Sequence, residues 1–241
     1  MPSPYPRLLL SGDSALVVEF GDSIDPELNR RVLALDALVA QEKIVGVTET
    51  VPTYRSLLVH YDPTVIGFSE LGAKLMALAA RKELPHRKGR RWRVPVVYGG
   101  EFGIDLETVA ERAGLTPKEV IARHSGGDYR VYMLGFLPGY TYLGGLDPAL
   151  ATPRRHDPRL ETPSGTIAIG GAQAGIQCIA APSGWHLLGR TPVRTYHPRR
   201  EPIFLIEPGD HVTFFPIDAR KWEALDRAAD AGDPVAQMVD A

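Results

Sequence analysis

One short stretch of the sequence, PSGWHLLGRTP at residues 182–192, gathers side chains that can bind a small anion and move a proton. Trp185 offers an aromatic face on which a small ring can lie, and His186 can exchange a proton near neutral pH. Arg190 presents a planar fork of donors that matches a carboxylate or a phosphate. Glycines allow tight turns in this stretch and prolines fix the backbone at its ends, so we expect a rigid turn that holds the three side chains toward a ligand.

The glycine-rich region around this stretch supplies further candidates for the same site. Ten of the 24 glycines fall between Gly135 and Gly189, and backbone amides beside glycine can approach an oxyanion closely. The region also contains polar and aromatic residues that suit a small ligand, namely Tyr132, Tyr140, Tyr142, Arg154, Arg155, Gln173 and Thr191. These residue types predict a small-anion pocket with acid-base capability.

Each candidate also has a purely structural interpretation. Trp185 can plug the surrounding β-structure, and His186 can satisfy a buried backbone group. Arg154 and Arg155 can form a solvated pair on the surface. We assign Arg190 to the site first, because a constrained turn leaves its side chain little freedom.

Several common types of active site lack their essential residues in this chain. Residues 170–175 have the glycine spacing of a phosphate-binding loop, but Ile176 and Gln177 stand where its lysine and its hydroxyl residue would be. No G-x-S-x-G sequence is present, which argues against an α/β-hydrolase nucleophile. The seven histidines never fall at i, i+2 or i, i+4 spacing, so we predict no local metal site. Cys178 lies in an apolar run and is expected to be a buried structural residue rather than a nucleophile.

The elements that must position these residues fall into two predicted domains, the first at residues 1–85. Short β-rich runs alternate there with two apolar-striped segments, one opened by Asp25-Pro26 and the other near Ser69. Strands that alternate with two helices in this way predict a small α+β domain, a ferredoxin-like sandwich with both helices on one face of the sheet.

The second predicted domain, residues 86–241, begins with a strand and a helical hairpin. Thr116-Pro117-x-Glu119 is a capping box that starts the second helix of the hairpin. His124 ends that helix and is interpreted as a cation at its C-terminus, with a place in the pocket as the other interpretation. Short β-rich runs between glycine and proline turns then predict a closed or nearly closed β-unit, which a C-terminal helix follows.

Charge and composition argue against nucleic-acid and membrane partners. The net charge of −2 and the pI near 6.4 give no general attraction to nucleic acid or to anionic lipid. The helical hairpin fits the spacing of a helix-turn-helix motif, but its second helix offers only Lys118 and Arg123 to a phosphate backbone. No apolar run approaches the roughly 20 residues of a membrane span. With one cysteine, which suits a reducing compartment, these features predict a cytoplasmic protein.

A basic stretch separates the two predicted domains. Seven of the 27 basic residues lie between Arg81 and Arg93, together with a proline and a glycine. A nucleic-acid patch would fit this charge, but Trp92 is the only aromatic residue among the basic residues of the stretch. We interpret it as a solvated linker between the domains.

The same motifs resemble those of the allophanate hydrolase subunit 1 family. The resemblance extends over nearly the whole chain, and its specific part lies within residues 132–192. It is carried by GFLPG at 135–139, YLGGL at 142–146, ATPRR at 151–155, PSG at 163–165, GWH at 184–186, GRTP at 189–192 and PGD at 208–210.

This resemblance implies a fold, a reaction and partners. The fold would be a small α+β domain followed by a cyclophilin-like β-barrel. The reaction would be that of the family's 5-oxoprolinase branch, an ATP-dependent complex that opens 5-oxo-L-proline to L-glutamate. The partners would be a barrel-based protein of the subunit 2 or C-subunit type and a third subunit, and the ATP site would be shared with or supplied by them.

The resemblance also gives the candidate residues roles. Arg190 would hold the substrate carboxylate or a phosphate, and His186 would assist proton movement. Gln173 would hydrogen-bond the lactam, and Trp185 or Tyr140 would wall the ring. The substrate-binding set would be Gln173, Tyr140, Trp185, Thr191 and Arg155.

Two positions depart from the family pattern, and two other functions stay open. Members commonly read PGFPY where this chain has PGYTY at 138–142, so Thr141 replaces a proline. His197 stands before Pro198 where an aspartate is expected. The family also contains Kip-type proteins that inhibit a sensor histidine kinase and modules that act in urea or allophanate amide chemistry.

Overall fold

The computed structural model describes residues 5–81, 85 and 88–239, and the chain divides into two units, Met1–Lys88 and Gly89–Ala241. The boundary predicted after residue 85 adjoins residues 86 and 87, which lie outside the described residues. The last three residues of the predicted basic linker, 91–93, instead begin a strand, Arg91–Tyr98. Trp92 and Val94 point into a core while Arg91 and Arg93 alternate with them, so the period of two explains why this segment is a strand.

The N-terminal unit is a four-stranded antiparallel sheet with two helices. Its elements are β1 Arg7–Leu10, β2 Ala15–Glu19, α1 Pro26–Glu42, β3 Val47–Pro52, β4 Ser56–Tyr61 and α2 Phe68–Ala79. Helix α1 begins where predicted, because the Asp25 carboxylate accepts the backbone N–H groups of Glu27 and Leu28 and Pro26 follows it.

One face of this sheet carries the core of the unit. Leu16 pairs with Val59 and Val18 pairs with Leu57, so the four side chains share a face. All four are fully buried against apolar residues from both helices, including Leu35, Leu71 and Leu75. The predicted two-layer α+β unit with its helices on one face is therefore confirmed.

The ferredoxin-like order predicted for this unit is not what the described residues show. A ferredoxin-like fold has the element order βαββαβ. The N-terminal unit of this chain has the order ββαββα, with the sheet order β1-β2-β4-β3. The reason lies in the turn at Ser11–Ser14, where Ser11 N–H donates to the Ala15 carbonyl and pairs β1 with β2 as a hairpin. Each helix therefore follows a hairpin.

The second unit is built around a closed barrel of seven strands. Its elements are β5 Arg91–Tyr98, α3 Leu106–Ala113, α4 Pro117–Ser125, β6 Tyr129–Leu134, β7 Thr141–Gly144, β8 Arg159–Thr162, β9 Thr166–Gly170, β10 Gln173–Ile176, β11 Ala181–Ser183, β12 His186–Arg190, β13 His211–Pro216, α5 Trp222–Asp230 and β14 Gln237–Val239. The barrel order is β12-β9-β10-β7-β6-β13-β5, and β5 closes it by pairing with β12. Strand β14 is added beside β5, and β8 pairs with β11 in a separate ribbon.

The barrel interior is filled by alternating apolar residues. Fully buried members include Val94, Val96, Tyr129, Val131, Ile167, Ile169, Ile176, Leu188 and Val212. Helices α3 and α4 pack on this core through Val109, Ala110 and Val120, as expected for a helical hairpin rather than an exposed recognition helix. The predicted barrel with its hairpin and C-terminal helix is confirmed, whereas its likeness to cyclophilins stays a prediction. Among the described residues, no helix has the length and apolar character needed to cross a membrane.

Candidate functional site

An aromatic cluster of Tyr140, Tyr142 and Trp185 lies on the outer wall of the barrel. Trp185 covers Gly170, where an added Cβ would be 2.7 Å from the indole ring. The ring centroids of Tyr140 and Trp185 are 6.3 Å apart, and those of Tyr142 and Trp185 are 6.1 Å apart. Gly170 alternates along β9 with the core residue Ile169, so the cluster is outside the barrel. The structure thus brings the predicted Tyr140 and Trp185 together.

Exposure separates the members of this aromatic cluster. Tyr140 is 5% exposed and Trp185 is 7% exposed, so both serve mainly as a packed wall. Tyr142 is only half-buried and is therefore the member that a ligand can contact. Burial raises the pKa of Tyr142, which the Arg154 cation opposes, and the hydroxyl is a hydrogen-bond donor at neutral pH. Trp185 does not fill the barrel interior. It packs over Gly170 on the outer face of the barrel, which is a structural role.

A rim segment, residues 152–155, is fixed beside the cluster by hydrogen bonds. Thr152 pairs with Gly171 across an isolated bridge. Arg155 N–H donates to the Gly184 carbonyl at 2.7 Å, and His186 Nε2 donates to the Pro153 carbonyl at 2.9 Å. His186 is buried, and its Nδ1 has no hydrogen-bond partner among the described residues. Its contacts make His186 an anchor for the rim segment.

Three arginines of this region differ in their partners. Arg159 forms a two-pronged ion pair with the buried Asp105 carboxylate, at 2.7 and 2.9 Å. Arg155 lies 3.6 Å from the same carboxylate, which also accepts the N–H of Leu187. The Asp105 side chain therefore pairs mainly with Arg159, and it makes no capping hydrogen bond to α3. Arg154 is exposed and pairs with no carboxylate among the described residues.

Arg190 and His186 do not share a site. The Arg190 guanidinium donates to the Ser164 carbonyl at 3.0 and 3.1 Å and lies 4.7 Å from the centre of the Trp222 ring. Burial lowers the pKa of Arg190, and the charge of the Asp226 carboxylate opposes this shift. His186 instead contacts Pro153, and no described contact joins it to Arg190. The recess expected between the two side chains is not formed by these contacts.

The remaining predicted binding residues have separate places. Gln173 begins β10 opposite Gly170, at the edge of the wall that Trp185 covers, and is partly exposed. Thr191 is fully buried, and its hydroxyl accepts the N–H of Val193, so it stabilises the turn after β12. Gln173 therefore stays beside the aromatic cluster, whereas Thr191 does not reach a surface.

His124 lies inside the barrel unit and is not a helix C-terminal cation. Its ring is fully buried, stacks on Phe214 with centroids 4.8 Å apart, and lies 2.8 Å from the Tyr98 hydroxyl. Burial lowers the pKa of His124 to about 3. The interpretation as a cation was wrong, because the apolar surroundings keep the imidazole neutral.

Two further motif residues have structural explanations. Asp210 of the PGD motif is fully buried and accepts hydrogen bonds from the Arg90 guanidinium, from Trp92 Nε1 and from backbone N–H groups. Cys178 is buried, its pKa is raised by burial, and its Sγ contacts the Pro138 carbonyl. Among the described residues, no cluster of three metal-ligating side chains occurs.

Sequence reasoning undervalued Arg154 and Tyr142. Arg154 is exposed and Tyr142 is half-buried, and both were named as pocket candidates but left out of the substrate-binding set. The available signal was local: three arginines stand within residues 154–159, and one buried aspartate cannot neutralise them all. A cavity of about 510 Å³ in the N-terminal unit, lined by residues including Lys43, Val65 and Lys74, contains none of the predicted site residues.

Comparisons with known proteins agree on one family. Residues 6–206 match the family model of the carboxyltransferase domain, subdomain C and D. The chain is 37% identical over 227 residues to the B subunit of 5-oxoprolinase from Bacillus subtilis (strain 168), covering 88% of this chain and 93% of the relative.

Solved structures extend the comparison. The crystal structure of TTHA0988 superposes with a TM-score of 0.76 at 38% identity over 85% of this chain, which spans only 40% of the TTHA0988 chain. Urea carboxylase of Kluyveromyces lactis superposes with a TM-score of 0.81 at 21% identity over 97% of this chain and 24% of its own, a likeness of fold alone.

Proposed function

The chain belongs to the carboxyltransferase subdomain C and D family, among relatives named as the B subunit of 5-oxoprolinase, and we propose that it is one subunit of an ATP-dependent complex that opens 5-oxo-L-proline to L-glutamate. The observation that carries this proposal is the 37% identity to one of these B subunits over 88% of the chain. In the reaction, water adds its oxygen to the ring carbonyl carbon, the carbon–nitrogen bond breaks and the ring nitrogen takes a proton. The lactam is an unstrained amide, so this opening needs activation.

The barrel wall offers this reaction a binding surface rather than a complete catalytic centre. Arg154 is exposed, Tyr142 is half-buried, and the partly exposed Gln173 lies at the edge of the same wall. The name of the relatives as B subunits of 5-oxoprolinase implies that further subunits take part. The chemical step is therefore assigned to an assembled complex, in which a third subunit and a partner of the subunit 2 or C-subunit type supply the rest of the site.

The phosphate-binding part of the ATP site is assigned to the partners. Gly170 and Gln173 pair with each other, so the glycine-rich segment at 170–175 is a β-hairpin turn. A phosphate-binding loop instead connects a strand to a helix whose N-terminus faces the phosphates. The residues of this hairpin do not fit that task.

Reconstitution tests the proposal. The purified chain alone should release almost no glutamate from 5-oxo-L-proline, and the chain mixed with its two partner subunits and ATP should release it at a steady rate. Leaving out each component in turn gives the controls. A complex that hydrolyses urea or allophanate but leaves 5-oxo-L-proline intact would overturn the proposal, as would inhibition of a sensor kinase without any amide hydrolysis.

A further inference from the structure

We propose that the cavity in the N-terminal unit binds an amphipathic organic monoanion, a molecule with an aliphatic body and one carboxylate at its end. The cavity has a volume of about 510 Å³ and is lined by the C-terminal end of α1, the turn that follows it, the turn before α2 and one side of α2. It contains none of the residues of the barrel wall, so its ligand is independent of the 5-oxoprolinase reaction proposed above.

The size and the apolar wall of the cavity suit a small organic ligand. Pockets that bind such ligands commonly have volumes of about 300–1,000 Å³ and are mostly apolar with a few polar groups. Ile66 and Leu78 belong to the hydrophobic core of the unit and also reach the cavity wall. Val45 and Val65 line the cavity as well and are 77% and 54% exposed. A ligand with an aliphatic body would therefore cover two valines that the protein alone leaves in water.

The two turns that carry these valines are held together by the protein itself. Asp62 N–H donates to the Gly46 carbonyl at 2.8 Å, which joins the turn after α1 to the turn before α2. Gly46 has a φ of 94°, and a Cβ added there would lie 2.6 Å from Ile66 Cγ2, so the close approach requires glycine. The Asp62 carboxylate accepts the N–H and the hydroxyl of Thr64, which fixes the second turn. The cavity wall is therefore preformed, and this lowers the entropy lost on binding.

The charges around the cavity favour an anion. Five charged residues line it: Glu42, Lys43, Glu70, Lys74 and Arg81. Glu70 pairs with Lys74 at 3.1 Å and Glu42 pairs with Arg81 at 2.7 Å, so both carboxylates are neutralised within the wall. The Lys43 ammonium makes no ion pair or hydrogen bond among the described residues, which leaves one positive charge without a partner. A monocarboxylate complements this charge, whereas an amine would face an unpaired cation.

The unpaired cation and the apolar side chains stand beside each other in one short turn. Lys43 follows the last residue of α1 with left-handed backbone angles, φ 46° and ψ 48°, and Ile44 and Val45 continue along the same cavity wall. The Val47 N–H donates to the Ile44 carbonyl at 3.1 Å, so the turn has a defined backbone. An aliphatic chain can therefore lie against the valines while the carboxylate at its end pairs with the ammonium.

Isothermal titration calorimetry on the full chain tests the site, with octanoate, octanol and octylammonium as probes of equal chain length. The wild-type chain should bind octanoate more tightly than octanol, and it should bind octylammonium least tightly. Lys43→Gln should weaken octanoate binding by about threefold to tenfold, the range expected for one charge near the surface, and should leave octanol binding unchanged. Lys118→Gln is the matched control, because Lys118 is an exposed lysine on a helix of the other unit.

A second pair of variants tests the cavity itself, and both replace exposed alanines of α2, so the fold should stay intact. Ala77 lines the cavity, so Ala77→Trp should fill it and abolish the binding of both octanoate and octanol. Ala73, on the same helix, is not among the described residues that line the cavity, so Ala73→Trp should bind both probes as the wild type does.

Three results would overturn the proposal. The first is octanoate binding that survives Ala77→Trp, and the second is octanoate binding by the wild-type chain that is no tighter than octanol binding. The third is the absence of octanoate binding to the wild-type chain at concentrations up to about 5 mM.

Discussion

His186 donates a hydrogen bond from Nε2 to the carbonyl of Pro153 at 2.9 Å, and this contact holds the residue that precedes Arg154. His186 of the GWH motif therefore contacts the backbone of the rim segment, residues 152–155. His186 therefore holds the rim segment in place, and kinetics can separate this role from proton transfer.

Replacing His186 by alanine is expected to raise KM for 5-oxo-L-proline in the complex by about tenfold, with a smaller effect on kcat, because the rim segment loses its anchor. Steady-state kinetics of the reconstituted complex measures the two constants. His186→Gln should recover part of the loss, since its amide can donate to the same carbonyl. A fall in kcat of several hundredfold at constant KM would instead identify His186 as a proton-transfer residue.

Replacing Arg190 by alanine is expected to lower the free energy of unfolding by about 1–3 kcal/mol, because two hydrogen bonds and a cation–π contact with Trp222 are lost. Urea denaturation followed by circular dichroism gives this value. Activity of the folded complex should fall only modestly. Abolished turnover with unchanged stability would return Arg190 to the catalytic site.

Protonation of His124 is expected to destabilise the protein as the pH falls. Burial lowers the pKa of His124 from 6.5 to about 3 in the folded state, so below pH 6.5 the unfolded chain binds a proton that the folded chain does not. Stability contributed by the neutral imidazole is fully present above pH 6.5 and is lost by about 1.4 kcal/mol per pH unit between 6.5 and 3. The groups that face the ring are Tyr98, Tyr129 and Phe214, and none of them is a cation or a carboxylate.

Denaturation between pH 4.5 and 7 checks this dependence without reaching the range in which Asp210 takes up protons. His124→Gln should flatten the slope while keeping an acceptor for the Tyr98 hydroxyl. His156, which is fully exposed, provides the control substitution His156→Gln, and the slope should survive it. An unchanged slope in His124→Gln would contradict the burial of a neutral ring.

The glycine under Trp185 is expected to tolerate no side chain. In Gly170→Ala the new Cβ would lie 2.7 Å from the indole, so the ring must move and unfolding should become easier by about 1–3 kcal/mol. Gly184→Ala is the matched control, because its Cβ would make only 3.7 Å contacts. It should leave stability nearly unchanged. Equal stability losses in the two variants would contradict the close packing on the barrel wall.

Local sequence signals predicted much of the fold, because they act over a few residues. The Asp25-Pro26 start of α1 and the Thr116–Glu119 capping box are formed as predicted. The period-two pattern of apolar residues likewise identifies the barrel strands. The strand order of the N-terminal unit was mispredicted, since a tight turn at residues 11–14 decides which strands pair.

The site was harder to predict, because partners distant in sequence decide which charges remain available. Asp105 neutralises Arg159 from 54 residues away, and Trp222 covers Arg190 from the C-terminal helix. Glycine spacing suggested rigid turns whose backbone amides approach a ligand, whereas Gly170 provides the flat surface on which Trp185 lies. Neither the pairing of these arginines nor the packing of Trp185 on Gly170 can be predicted from the neighbouring residues in sequence.

Strand β14 lies directly beside β5, with Val239 opposite Arg91, so the barrel unit starts and finishes at one place. A module whose two ends meet can be spliced into a longer polypeptide without disturbing its interior. The pairing of its first and last strands thus ties the end of this unit to its beginning.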